Sequence, residues 1–169
     1  MKPIMLPVVP FRQPKEGQCL AACAGMVLNY LNISFSYSRL LKLLRVQWFG
    51  TAHSNIRHLT RLGVKVIHKQ GTLTELEQHL LSNSPCIVFV KTGELPYWKI
   101  ATNHAVVVIG LDAQYVYLND PEFDVNPIQV SRGDFDLAWF EHGEFYAVLL
   151  NKEPKWPLRN KLSLSTTRD

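Results

Sequence analysis

The spacing of apolar positions along the chain changes character after Gly63. Before that point it is helical. Gln18 to Leu31, QCLAACAGMVLNYL, is continuous, apolar, rich in small residues and free of proline, and it predicts a buried helix opening just after Gly17. SRLLKLLRV, behind Ser34, Ser36 and Ser38, predicts an amphipathic helix with Leu40, Leu41, Leu43 and Leu44 turned inward. Gly50 and Thr51 break the chain, and NIRHLTRLG predicts a third helix capped by Ser54 and stopped at Gly63. The first dozen residues carry Pro3, Pro7 and Pro10 and are predicted to be extended.

Beyond Gly63 the period shortens towards two. Val64 to Ile67 is a short strand, and Thr74 to Leu81 a helix opened by Thr72 or Thr74. Pro85 introduces the buried strand CIVFV, and HAVVVIGL and QYVYLN follow as two strands with a turn at Asp112 and Ala113. EFYAVLL is the last strand, and the stretch before it, with Asp124, Asp134 and Asp136, reads as loop-rich. Helices first and antiparallel strands later predict an α+β fold. One domain is expected over residues 1–151, followed by a basic, flexible tail over 152–169 that contains Lys152, Lys155, Arg159, Lys161 and Arg168.

Composition narrows the class without naming a function. At 169 residues with 47% apolar and 19% charged positions, the chain is an ordinary globular protein large enough to bury a core. The formal charge of +4 is not gathered into a stripe, so no nucleic-acid partner is expected. No apolar run approaches the ~18 residues of a membrane span, and the start lacks the form of a signal peptide. A cytoplasmic protein is the expectation. Three cysteines, Cys19, Cys23 and Cys86, form no disulfide framework and read as free thiols. No Cys or His pair stands near Cys19 and Cys23 at ligand spacing, so neither a metal nor a cofactor is expected.

Cys19 stands where the Gly17 break gives way to the helix. Unpaired N–H groups and the helix dipole favour a thiolate there, as a nucleophile requires. Cys23 lies one turn deeper on nearly the same face, and Cys86 enters an apolar strand, so both read as packing. Core packing is also the competing reading for Cys19. Among six histidines, His53, His58, His68 and His79 lie among polar neighbours and read as surface residues, and His142 reads as a turn. His104 opens an apolar strand, where its ring needs a specific partner. A hairpin centred on Asp112 sets Asp120 directly opposite His104 on the same face, where its carboxylate can hold the imidazole. Gln13, six residues before Cys19, is a candidate oxyanion donor alongside the Cys19 N–H.

Gln13, the Cys19 segment, NHAVVVIGL around His104 and the Asp120-Pro121 pair together resemble the bacteriocin-processing (double-glycine leader) cysteine peptidases. GTAHSNIRHLTRLGVKV is similar to the segment that joins those motifs in that family, and the likeness runs from about Gln13 to about Leu150. The resemblance implies a papain-like fold, a Cys19–His104–Asp120 triad with Gln13 as oxyanion donor, and a leader peptide cut after Gly-Gly. It also implies an ABC exporter as partner, which would be a separate chain. The sequence differs from the family pattern at Gln18 and Leu20, and Leu20 is placed to crowd the substrate cleft. Acyl transfer or amide hydrolysis by the same triad, and a non-catalytic peptide-binding module, are the alternatives.

Overall fold

The computed structural model describes residues 2–152. The expected basic tail lies, apart from Lys152, outside the described residues. Strands β1 (Ile4–Met5), β2 (Val64–Gln70), β3 (Cys86–Lys91), β4 (Asn103–Leu111), β5 (Tyr115–Asn119), β6 (Ile128–Ser131) and β7 (Phe145–Asn151) form one antiparallel sheet. Its order is β2-β7-β3-β4-β5-β6, and β1 also pairs with β4. Helices α1 (Cys19–Tyr30), α2 (Tyr37–Leu43), α3 (Leu73–Leu81) and α4 (Arg132–Phe140) pack with it, giving the expected α+β architecture.

Helix α1 is the centre of the packing. Nine consecutive residues, Leu20 to Leu28, are buried, so this helix has no solvent face over most of its length. Its small residues permit that, because Gly25 lets the Phe35 ring come close and Ala21, Ala22 and Ala24 let α1 lie against β4. Leu20, Met26 and Leu28 fill the gaps, each worth ~1.5–3 kcal/mol of burial. Helix α2 is capped by Ser36, whose hydroxyl accepts from the Arg39 N–H, and buries Leu40 and Leu44 fully while Leu41 and Leu43 stay at the margin. Helix α3 opens at Thr72 with a reciprocal capping box to Glu75.

The third predicted helix forms, but as a 3-10 helix over His53–Leu62, and Ala52 occupies its cap without a side-chain bond. Ser54 is not the cap. Thr51 and Asn55 instead both donate to the Leu44 carbonyl, tying this segment to the end of α2. The stretch expected to be loop before the last strand holds β6 and α4. Ser131 caps α4 through the Asp134 N–H, and Phe135, Ala138 and Trp139 are buried at helical spacing.

The hairpin register differs from expectation by two residues. Val107 faces Asn119 and Val108 faces Leu118, and a bulge before Gly110 shifts the ladder so that Gly110 faces Tyr117. Asp112 makes the turn, its Oδ1 accepting the N–H groups of Gln114 and Tyr115. Asp120 therefore follows β5 on a diagonal from His104 instead of opposite it. A shift of two preserves the face, so the pair still meets.

Candidate active site

Gly17 sets the start of α1. Its φ of +77° is left-handed, and a Cβ there would lie 2.8 Å from both the Gly50 nitrogen and the Trp48 carbonyl oxygen. This close approach clamps the Gln47–Gly50 turn against the chain two residues before Cys19. Gln18 follows at the N-cap without a side-chain cap, so the first N–H groups of α1 are not taken up by a capping residue. Gly17→Ala is expected to lower the melting temperature by about 5–10 °C, through left-handed strain and a backbone clash. The same substitution should slow modification of Cys19, and a thermal melt beside a thiol-labelling time course measures both effects.

The three cysteines differ as their surroundings dictate. Cys19 is partly exposed, whereas Cys23 and Cys86 are fully buried. Burial, with the charges of Cys19 and Asp120 adding to it, holds the Cys23 thiol far above its ordinary value, and burial does the same to Cys86. Both are neutral packing thiols.

His104, the second residue of β4, is buried beside Asp120, with Nε2 2.7 Å from Asp120 Oδ1. A carboxylate only accepts, so Nε2 carries the proton of this bond. Cys19 lines the same cleft and is the second side chain that acts on the imidazole, and with Nε2 on Asp120 the nitrogen left for the sulfur is Nδ1. Burial alone would strip the ring of its proton. The Asp120 hydrogen bond and the interactions with the Asp120 carboxylate and the Cys19 sulfur outweigh that and raise its pKa from 6.5 to about 9. Burial likewise opposes ionisation of Asp120, but the His104 bond and charge, the Glu122 N–H and the Trp98 N–H hold its carboxyl below the usual 3.8.

Asp120 is itself held by residues that the sequence patterns did not single out. The Tyr97 hydroxyl donates to Oδ2 at 2.7 Å and Trp98 Nε1 donates to the same oxygen at 2.9 Å. The Glu122 N–H donates to Oδ1 at 3.0 Å. The Trp98 ring also stands edge-on to His104, 4.8 Å between centroids, and lines the cleft. Nothing in the sequence links Pro96-Tyr97-Trp98 to Asp120. Their polar tips in an otherwise apolar pair of side chains were the available signal.

Cys19 and His104 open onto a cleft of about 720 Å³. Gln13 lines the same cleft, its backbone N–H bonded to the Pro121 carbonyl and its Nε2 to Glu122 Oε2 at 2.7 Å. Leu20 reaches the cleft wall as expected, though it is only 2% exposed, so it shapes the floor without filling the space. Trp48, Phe49 and Ile100 make an apolar rim, 86%, 70% and 71% exposed. His53 and His142 continue the wall. His53 and His68 are half-buried instead of lying on the surface, paired Nδ1 to Nε2 at 2.8 Å among Phe89 and Phe145. Burial first, then the charge of His53, hold His68 at about 4, so it is neutral near pH 7. His79 and His58 are half-buried too, bonded to the Tyr146 hydroxyl and the Leu43 carbonyl.

The imidazole of a buried His–Asp pair and a partly exposed cysteine at a helix start thus line one cleft on this sheet. The sequence matches the peptidase C39 family over residues 8–154, and the chain belongs to that family of cysteine peptidases. Its fold is similar to solved structures that include the following three. A C39-like peptidase from Bacillus anthracis aligns with a TM-score of 0.76 and 19% identity, covering 91% of this chain and 100% of that one. A double glycine motif protease from an AMS/PCAT transporter, solved with its leader peptide, aligns at 0.70 and 19% identity, covering 90% and 99%. The peptidase domain of Streptococcus ComA, a bifunctional ABC transporter of a quorum-sensing pathway, aligns at 0.70 and 18% identity, covering 86% and 99%. Among curated proteins none matches the sequence significantly. No helix among the described residues is long and apolar enough to cross a membrane.

Proposed function

We propose that Cys19 is the nucleophile of a peptide-bond hydrolase, with His104 as its acid–base partner, Asp120 as the orienting carboxylate and Gln13 as an oxyanion donor. The observation that carries this is the buried imidazole bonded to Asp120, in the same cleft as Cys19, whose sulfur helps to raise the imidazole pKa. The Cys19 thiolate attacks the scissile carbonyl carbon, forming a C–S bond and a tetrahedral oxyanion. That charge is met by the Cys19 N–H at the start of α1 and by the Gln13 amide. The C–N bond then breaks, His104 gives its proton to the leaving amine, and a thioester remains. Water attacks the thioester, returns a proton to His104 and frees the thiolate. These steps call for neither cofactor nor metal.

The substrate class we favour is a leader peptide ending in Gly-Gly, because a double glycine motif protease of similar fold was solved with its leader peptide. A cleft of about 720 Å³ whose apolar rim, Trp48, Phe49 and Ile100, stands exposed suits a peptide with side chains to either side of the cut bond. An ABC exporter is the partner this reading implies, and the cytoplasmic face of the membrane, where free thiols persist, is the place. The 1–151 domain is the unit we assign the activity to.

The test is labelling with a peptidyl chloromethyl ketone ending in Gly-Gly, read by mass spectrometry at Cys19, Cys23 and Cys86. Fast, stoichiometric alkylation of Cys19 alone is the expected result, and the Ala-Ala analogue should react at least about tenfold more slowly. Preferential reaction of Cys23, or equal slow reaction of all three thiols, would refute the nucleophile. Equal rates for Gly-Gly and Ala-Ala would leave the nucleophile standing and remove the leader-peptide specificity.

A further inference from the structure

The geometry points to Glu122 as the residue that sets the orientation of the Gln13 amide, an inference that rests on the oxyanion role proposed for Gln13. A glutamine side chain ends in an oxygen and an NH2 of nearly equal size, so its flip is decided only by its neighbours. An oxyanion donor works in one flip and fails in the other, since the wrong flip turns a carbonyl oxygen towards developing negative charge. Glu122 accepts and does not donate when ionised. Its Oε2 lies 2.7 Å from Gln13 Nε2, so the nitrogen must occupy that side. One of the two Nε2 hydrogens is spent on Glu122, and the other remains for the cleft that Gln13 shares with Cys19. Gln13 Oε1 is buried without a partner, so nothing on that side competes to reverse the flip.

The rest of the loop makes this a fixed attachment. The Gln13 N–H bonds the Pro121 carbonyl at 2.8 Å, and Arg12 pairs with Asp124 at 2.7 Å. Asn126 closes the loop from within, its Oδ1 accepting the Asp120 N–H and its Nδ2 donating to the Asp120 and Phe123 carbonyls. Phe123 packs against Tyr97 and Trp98, the two donors to Asp120. A single short turn, Asp120-Pro121-Glu122, thus steers two groups at once. Asp120 holds the imidazole and Glu122 holds the Gln13 amide. Glu122 acts through Gln13 and is a positioning residue.

The test is a double-mutant cycle on kcat and KM for a Gly-Gly peptide, with melting temperatures for every variant. Gln13→Ala is expected to lower kcat by about 100-fold. Glu122→Ala is expected to lower kcat by about tenfold with KM within about twofold, and Glu122→Gln, whose carbonyl can still accept, to fall between it and the native enzyme. In the Gln13→Ala background, Glu122→Ala should cost nothing further. Three results overturn the inference: unchanged kcat in Glu122→Ala, a rise in kcat (which makes the carboxylate a brake), or an equal loss with and without Gln13. If Gln13→Ala is itself silent, the oxyanion assignment falls and this inference with it. If Gln13→Ala is slow and Glu122→Ala is not, only the Glu122 role is lost.

Discussion

Replacing His104 with alanine is expected to lower kcat for peptide cleavage by about 10⁴-fold or more and to abolish the fast alkylation of Cys19. The ring does two tasks that no neighbour can take over. Its raised pKa of about 9 means it is protonated near neutral pH, poised as the cationic partner of the Cys19 sulfur. In the proposed mechanism the same proton is delivered to the leaving amine, so acylation and its activation should be lost together. The fold should survive the substitution better than burial alone would imply. Asp120 would keep three donors, from Tyr97, Trp98 and the Glu122 N–H, so its carboxylate is not stranded. A melting curve close to the native one, beside lost labelling and lost turnover, is the expected set of results. Native labelling kinetics in the variant would remove His104 from the mechanism.

The same pKa fixes a pH dependence with a definite sign. His104 holds its proton more tightly when folded than the ordinary value of 6.5, so the folded state is the one that gains from protonation. That contribution to stability is complete below pH 6.5 and is lost as pH rises through about 9. Turnover should fall over the same alkaline limb, since the acid for the leaving amine disappears there.

Much of this site was legible because its parts sit where local rules are strong. A glycine break before a small-residue apolar run places Cys19 at a helix start, and Gly17 indeed takes the left-handed conformation that only glycine adopts cheaply. The His104–Asp120 pairing survived an error in register because that error was two residues, an even slip that keeps both side chains on one face. The bulge before Gly110 and the turn built by Asp112 account for the displacement, and neither announces itself in the pattern. Residues 128–140 were misread for a different reason. Gly133, Asp134 and Asp136 look like loop, but Ser131 and Asp134 form a cap and the apolar residues behind them keep helical spacing. What local rules could not show is convergence from afar. Tyr97, Trp98 and Glu122 owe their roles to the loop that brings them to Asp120 and Gln13. His53 and His68 likewise gain their burial from strands distant in sequence, so their polar neighbours misplaced them on the surface.

The second large effect is expected from Asp120→Asn, a change of one atom that should lower kcat by about 10³–10⁴-fold while KM changes little. Asp120 is satisfied entirely as an acceptor. Oδ1 takes the His104 Nε2–H and the Glu122 N–H, and Oδ2 takes the Tyr97 hydroxyl and the Trp98 N–H. An asparagine must put NH2 in one of those places. At the Oδ2 position it would face the Trp98 N–H and at the Oδ1 position the Glu122 N–H, and neither can accept. With NH2 at the Oδ1 position, it can satisfy His104 only if Nε2 becomes an acceptor. That tautomer moves the ring proton to Nδ1, the nitrogen that should serve the Cys19 sulfur. With the carboxylate's charge gone, burial becomes the larger influence on His104, and its pKa should fall well below about 9. The alkaline limb of Cys19 alkylation should therefore move to lower pH. In the native protein the Asp120 contribution to stability is present above pH 3.8 and is lost as pH falls through its lower folded value; the variant should lack that acid limb. Labelling rate against pH, set beside melting temperature against pH for both proteins, measures each shift. An alkaline limb that stays in place would mean that Asp120 packs against the ring without tuning it.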